Sequence, residues 1–236
     1  MDELRHTYFV SFSGIDGAGK STQIEALCGR LRKSGLRILL ISFWDDIARL
    51  TKLREGASHS IFKGDKGVGS PSAPINRQDK NVRSWGMTCV RLFLYFADAF
   101  SLRLKMRKAL RSEVDLVIFD RFMYDELANL ALQKRAIRAY VWVIMKIVPK
   151  PHISYLLDAD PAKARARKPE YPIEFLRTNR QSYLALRSLV GGMTVIHPMP
   201  IEDVERVIFM HAFNKLSFKD SSTGGTHDAT LIELNN

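Results

Sequence analysis

A chain of 236 residues with 46% hydrophobic side chains carries enough apolar material for one sizeable α/β domain or two small ones, which excludes a wholly disordered protein. Its 36 Lys and Arg against 25 Asp and Glu leave a net charge of +11, so the default partner is an anion: a nucleotide, a nucleic acid or an acidic membrane surface. Two cysteines, Cys28 and Cys89, fall in helix-like segments and are too few for a disulfide framework or a Cys-based metal site; they read as core thiols of a reducing cytoplasm.

The charged start Met1-Asp2-Glu3-Leu4-Arg5-His6 is unlike a secretory signal. The most membrane-like stretch, Tyr140 to Val148, is interrupted by Lys146 and closed by Pro149, far short of the roughly 20 residues that a spanning helix needs. No membrane partner is therefore expected.

Along the chain, short runs rich in β-branched and aromatic residues alternate with helix-like stretches. A strand at 8–12 leads through a glycine-rich turn into a helix at 21–34, and a second strand at 37–43 follows. Residues 56–81, with Gly64, Gly67, Gly69, Pro71 and Pro74, read as a long irregular insertion. Then come a helix at 85–111, a strand at 114–119, a helix at 124–148, a strand at 153–158, a helix at 174–190, a strand at 193–197 and a helix at 201–214. The polar residues 215–236 read as a tail. The strands are nearly continuous apolar runs, as suits strands covered on both faces. The order implies one α/β domain over residues 1–214, built on a five-stranded, mostly parallel sheet flanked by helices, with its ligand site at the carboxyl ends of the strands.

The turn after the first strand is Gly14-Ile15-Asp16-Gly17-Ala18-Gly19-Lys20-Ser21, which fits G-x-x-x-x-G-K-[ST] between a strand and a helix. Glycines let the backbone wrap a phosphate so that N–H groups point inward, and the helix N-terminus adds its dipole. Lys20 then reaches the β and γ phosphates of ATP, and the Ser21 hydroxyl ligates Mg²⁺. An apolar strand ending in an acid, Leu116-Val117-Ile118-Phe119-Asp120, supplies the second metal-facing oxygen, and Arg121 just beyond it can hold a phosphate by two hydrogen bonds. After the fourth strand, Asp160-Pro161-Ala162-Lys163-Ala164-Arg165-Ala166-Arg167-Lys168 gathers cations that could close over a transferring phosphoryl group; a solvated basic face is the alternative.

These three constellations, in this order, resemble the thymidylate kinase family of P-loop nucleoside monophosphate kinases. The resemblance spans roughly residues 7–55 and 85–214. It rests on the phosphate loop with the Thr22-Gln23 that follows, on Asp120-Arg121-Phe122, which is similar to the family's Asp-Arg-Tyr motif, and on Arg165 and Arg167. The resemblance implies a P-loop fold with a short lid at 161–173, ATP and Mg²⁺ as cofactors, a homodimer, a small nucleotide as substrate and no specific nucleic acid. It implies catalytic roles for Lys20, Asp120, Arg165 and Arg167, the arginines sitting in the lid while position 17 is Gly. ATP would lie on Gly14, Asp16, Gly17, Ala18, Gly19, Lys20, Ser21 and Thr22, with Mg²⁺ on Ser21 and Asp120. The acceptor would meet Asp16 at its sugar hydroxyl, Tyr95 under its base and Arg121 at its phosphate.

Two positions depart from the family. Phe43-Trp44-Asp45-Asp46 stands where an arginine usually grips the acceptor phosphate, and Ala99 stands where a thymine-reading arginine is expected. Asp46 beside the acceptor would repel a monophosphate. The departures predict a weak response to thymidylate and keep two other readings open: a same-fold kinase acting on a nucleoside or small alcohol, and a nucleic-acid-associated ATPase using the cations of residues 103–111.

Overall fold

The computed structural model describes residues 7–48 and 85–216, with side chains from 89 onward in the second stretch. The predicted insertion at 56–81 and the tail beyond 216 lie outside the described residues. Five strands form one sheet: β1 (Tyr8–Ser13), β2 (Ile38–Ser42), β3 (Leu116–Asp120), β4 (Ile153–Leu157) and β5 (Met193–Ile196). Their order is β2-β3-β1-β4-β5, and every neighbouring pair runs parallel. The helices are α1 (Lys20–Lys33), α2 (Trp85–Ala109), α3 (Met123–Leu127), α4 (Arg135–Ile147), α5 (Pro161–Arg167), α6 (Ile173–Val190) and α7 (Ile201–Leu216), with a short helical turn at Phe43–Ile47.

Both faces of the sheet are covered. Alternate strand residues point to opposite sides, so Val10, Phe12, Ile118 and Tyr155 meet Leu27 and Leu31 of α1 and Ile208 of α7 on one face. Phe9, Val117 and Phe119 meet Leu102 of α2, Val141 and Ile144 of α4 and Leu186 of α6 on the other. This two-sided burial explains why the strands read as unbroken apolar runs.

The predicted helix over 124–148 is in fact two helices, α3 and α4, separated by turns at 128–134. Asn129 donates its side-chain amide to the Asp125 carbonyl at 2.9 Å, competing for an acceptor that a continuing helix would use. Leu130 and Leu132 in the break are buried by tertiary contact, so the apolar pattern runs through it without a gap.

The cysteine reading is half corrected. Cys28 is buried, but Cys89 is exposed. α2 turns outward an apolar stripe that includes Val90, Phe93, Phe96 and Phe100, so its hydrophobicity does not mean burial. Among the described residues no helix is long and apolar enough to cross a membrane.

Candidate active site

The carboxyl ends of β1, β3 and β4 bring the three sequence constellations together. In the loop after β1, Gly14 and Gly17 have φ of +144° and +82°, a region that side chains with a Cβ rarely enter. A Cβ at Gly14 would run into the Leu157 carbonyl, and one at Gly17 into the Ala164 carbonyl of α5. The loop's glycines thus serve close backbone approach to β4 and to the lid as well as the turn itself. Gly19 caps α1 in the left-handed conformation, and Ser21 and Thr22 follow exposed on its first turn.

Lys20 is buried and donates from Nζ to the carbonyls of Gly14 at 2.7 Å and Ile15 at 2.9 Å. Burial, and next the Arg121 guanidinium, lower its pKa from 10.5 to about 8, while Asp16, Asp125 and Asp120 pull the other way. The ammonium therefore sits inside the loop within the electrostatic reach of the predicted acid at the end of β3.

Asp120 pairs in register with Phe12 of β1 and Ser42 of β2, which sets its half-buried carboxylate at the cleft end of the sheet. Arg121 follows with φ of +68°, the one positive value among the described residues that are not glycine. Its backbone N–H donates to the Phe12 carbonyl at 3.1 Å, and its Nη2 donates to Asp16 Oδ1 in a short ion pair. Burial draws the Arg121 pKa down, but Asp16 and Asp125 more than offset this and leave it above the ordinary value.

The cleft around Arg121 is lined by Gly14, Asp16, Trp44, Asp125, Asn129 and Tyr183, among others. Two residues expected on the acceptor side stand away from this cleft. Tyr95 is 4% exposed and belongs to the core cluster, and it is not among the residues lining this cleft. The aromatic residues that border the cleft are Trp44 and Tyr183. Asp46 also points elsewhere: its Oδ2 accepts from the Ser42 N–H at 3.0 Å, and its Oδ1 lies 3.7 Å from Lys105 Nζ. The short helical turn at 43–47 rotates residues 44 and 46 to different sides, which linear spacing could not reveal. Asp46 is thus engaged by local partners, and Ala99 is a fully buried core residue.

The lid at 161–173 divides into α5 and a connection to α6. Asp160 caps α5 by accepting from the Lys163 N–H at 2.9 Å, and Pro161 opens the helix. Arg167 Nη1 comes to 4.0 Å from where a Cβ on Gly19 would lie, so this guanidinium borders the phosphate loop. Arg165 instead donates to the Tyr171 carbonyl across the lid.

Several cleft residues carried no motif. Trp44, Asp125, Glu126, Asn129 and Asn179 all line it. The only sequence signal for Asp125 and Glu126 was a pair of acids inside an apolar stretch, and both are buried, at 4% and 2% exposed.

A five-stranded parallel sheet with helices on both faces, a glycine loop entering α1 and cations at the strand ends define a P-loop kinase of the α/β class. No family model matches the chain. It is 30% identical over 192 residues to the thymidylate kinase of Bifidobacterium longum, a stretch covering 75% of this chain and 82% of that protein. It is 26% identical over 204 residues to a probable thymidylate kinase of Methanosphaera stadtmanae, covering 83% and 92% respectively. The crystal structure of thymidylate kinase from Ehrlichia chaffeensis superposes with a TM-score of 0.56 at 17% identity, over 87% of this chain and 97% of that one, which bears on the fold. The chain belongs to the thymidylate kinase family, and with that it is an ATP-dependent nucleotide kinase.

Proposed function

We propose that this protein transfers the γ-phosphoryl group of Mg-ATP to the phosphate of a nucleoside monophosphate of the thymidylate type. The observation that carries the reading is the placement of two cations within electrostatic reach of each other at the strand ends, buried Lys20 inside the phosphate loop and half-buried Arg121 pinned at the end of β3. An acceptor phosphate oxygen forms the new P–O bond, the bond to the bridging oxygen breaks, and ADP leaves. Such a reaction needs placement and charge more than covalent help. Lys20 holds donor oxygens, Arg121 aligns the acceptor phosphate, and Arg167 with Arg165 offsets the charge that develops between them. Asp16 faces the acceptor sugar.

The donor set suits Mg²⁺, a hard cation held by one or two protein oxygens plus substrate phosphates. Ser21, exposed at the start of α1, and the half-buried carboxylate Asp120 would hold it, and it would neutralise charge on the donor oxygens.

The resemblance implies a homodimer, and we assign it to the exposed apolar stripe of α2. The nucleic-acid reading loses ground because two of its cations have local partners: Arg103 donates to the Ile147 carbonyl at 2.8 Å and Lys105 faces Asp46. The hydroxyl-acceptor reading keeps one point in its favour, the carboxylates Asp16, Asp125 and Glu126 along the cleft.

The deciding experiment is ADP release from ATP, measured against a panel of nucleoside monophosphates, nucleosides and small sugars. Turnover dependent on thymidylate or another monophosphate is expected. Turnover with nucleosides alone would transfer the assignment to the hydroxyl-acceptor reading.

A further inference from the structure

We propose that Asp125 is the positioning residue for Arg121, and that its buried carboxylate sets how firmly the acceptor phosphate is held. This rests on the reading of Arg121 given above.

The argument starts from the backbone. Arg121 occupies the left-handed region, which is strained for a residue with a Cβ and persists where the surroundings over-determine it. Asp16 holds Nη2 of its guanidinium. On the other nitrogen, Nη1, the facing group is Asp125 Oδ1 at 3.8 Å.

Asp125 is itself held from three directions. Ser13 Oγ at the end of β1 donates to Oδ2 at 2.6 Å, and the Phe122 N–H opening α3 donates to the same oxygen at 3.0 Å. Tyr183 on α6 donates its hydroxyl to Oδ1 at 2.8 Å. Asp125 and Tyr183 are 4% and 3% exposed, and Ser13 is fully enclosed. One carboxylate therefore gathers donors from the phosphate-loop strand, from the turn after β3 and from α6, and turns its remaining capacity toward Arg121. A carboxylate used only to cap α3 would need the Phe122 N–H and little else. Its further donors lock its rotamer, and a locked anion beside a guanidinium fixes where that guanidinium points.

The test is steady-state kinetics with thymidylate and Mg-ATP on the full chain, alongside thermal unfolding. Asp125→Asn keeps the shape but removes the charge, so the side facing Arg121 no longer attracts it. The expected result is a rise of about tenfold in the KM for thymidylate, the order of one hydrogen bond to a charged group, with the KM for ATP changed less than twofold. Tyr183→Phe removes one donor and leaves the ring in place, and it carries the test if Asp125→Asn does not fold. It should shift the thymidylate KM in the same direction by a smaller factor. Equal effects on both substrates, or no effect on either, would overturn the positioning role in favour of a purely structural one. Arg121→Ala runs in parallel. If it leaves the thymidylate KM unchanged, or the unaltered protein ignores thymidylate, the reading of Arg121 fails and the inference with it. If Arg121→Ala raises that KM while both other variants do not, only the role of Asp125 falls.

Discussion

Lys20 shows how much one residue's surroundings decide. In an unfolded chain its ammonium titrates near 10.5, but in the folded protein burial and Arg121 bring it to about 8. Between those values the unfolded chain binds more protons, so this group's contribution to stability rises with pH across the window from about 8 to 10.5. Activity follows the opposite sign, because the phosphate needs the charged form. We expect kcat/KM for ATP to fall as pH passes about 8, while kcat at saturating ATP holds to higher pH because bound phosphates favour the ammonium. A pH profile of both parameters checks this, and superimposable profiles would contradict it. Lys20→Ala should abolish turnover while cooperative unfolding persists, since the side chain's hydrogen bonds to the Gly14 and Ile15 carbonyls stay within its own loop.

At the scale of elements, the lid helix α5 and the phosphate loop are fitted to each other through Gly17. Gly17→Ala places a Cβ against the Ala164 carbonyl at a φ of +82°. The left-handed strain alone is about 1–2 kcal/mol, and the displaced lid adds to it. Urea unfolding should show a loss of at least that size, accompanied by a raised KM for ATP. The lid arginines make a second prediction. Arg167 borders the loop at Gly19, whereas Arg165 is engaged by the Tyr171 carbonyl. Both substitutions to Ala should lower kcat more than they raise the KM for ATP, as expected of groups that interact most strongly with the transition state. A change confined to ATP affinity would make the altered residue a ground-state phosphate ligand.

On the scale of the whole molecule, the α2 stripe is a surface feature that the core does not explain. Phe93 is 73% exposed and Phe100 55% exposed, on a helix whose other face packs into the core. Large apolar patches of this kind mark interaction sites. Phe93→Glu with Phe100→Glu should reduce the mass found by sedimentation equilibrium from dimer to monomer with little change in thermal unfolding of the monomer. A monomeric unaltered protein would remove the homodimer.

The sequence by itself determined the strands, the phosphate loop and the lid motif, because each depends on local pattern. A covered strand is a short apolar run, and a phosphate loop is contiguous backbone whose glycines and lysine must stand at set spacings. Gly14 to Thr22, Asp120, Arg121 and the lid arginines were legible for that reason. Only the tertiary structure decided which further residues line the cleft around Arg121. Trp44 faces it and Asp46 does not, because one short helical turn rotates them apart. Tyr95 is packed into the core, and the break between α3 and α4 is hidden by leucines that long-range packing buries. Asp125 gains its partners from β1 and α6, which lie 112 and 58 residues away in the chain. Local spacing carries the grip on a phosphate, but a buried carboxylate's role is set by donors that the fold alone brings within hydrogen-bonding distance.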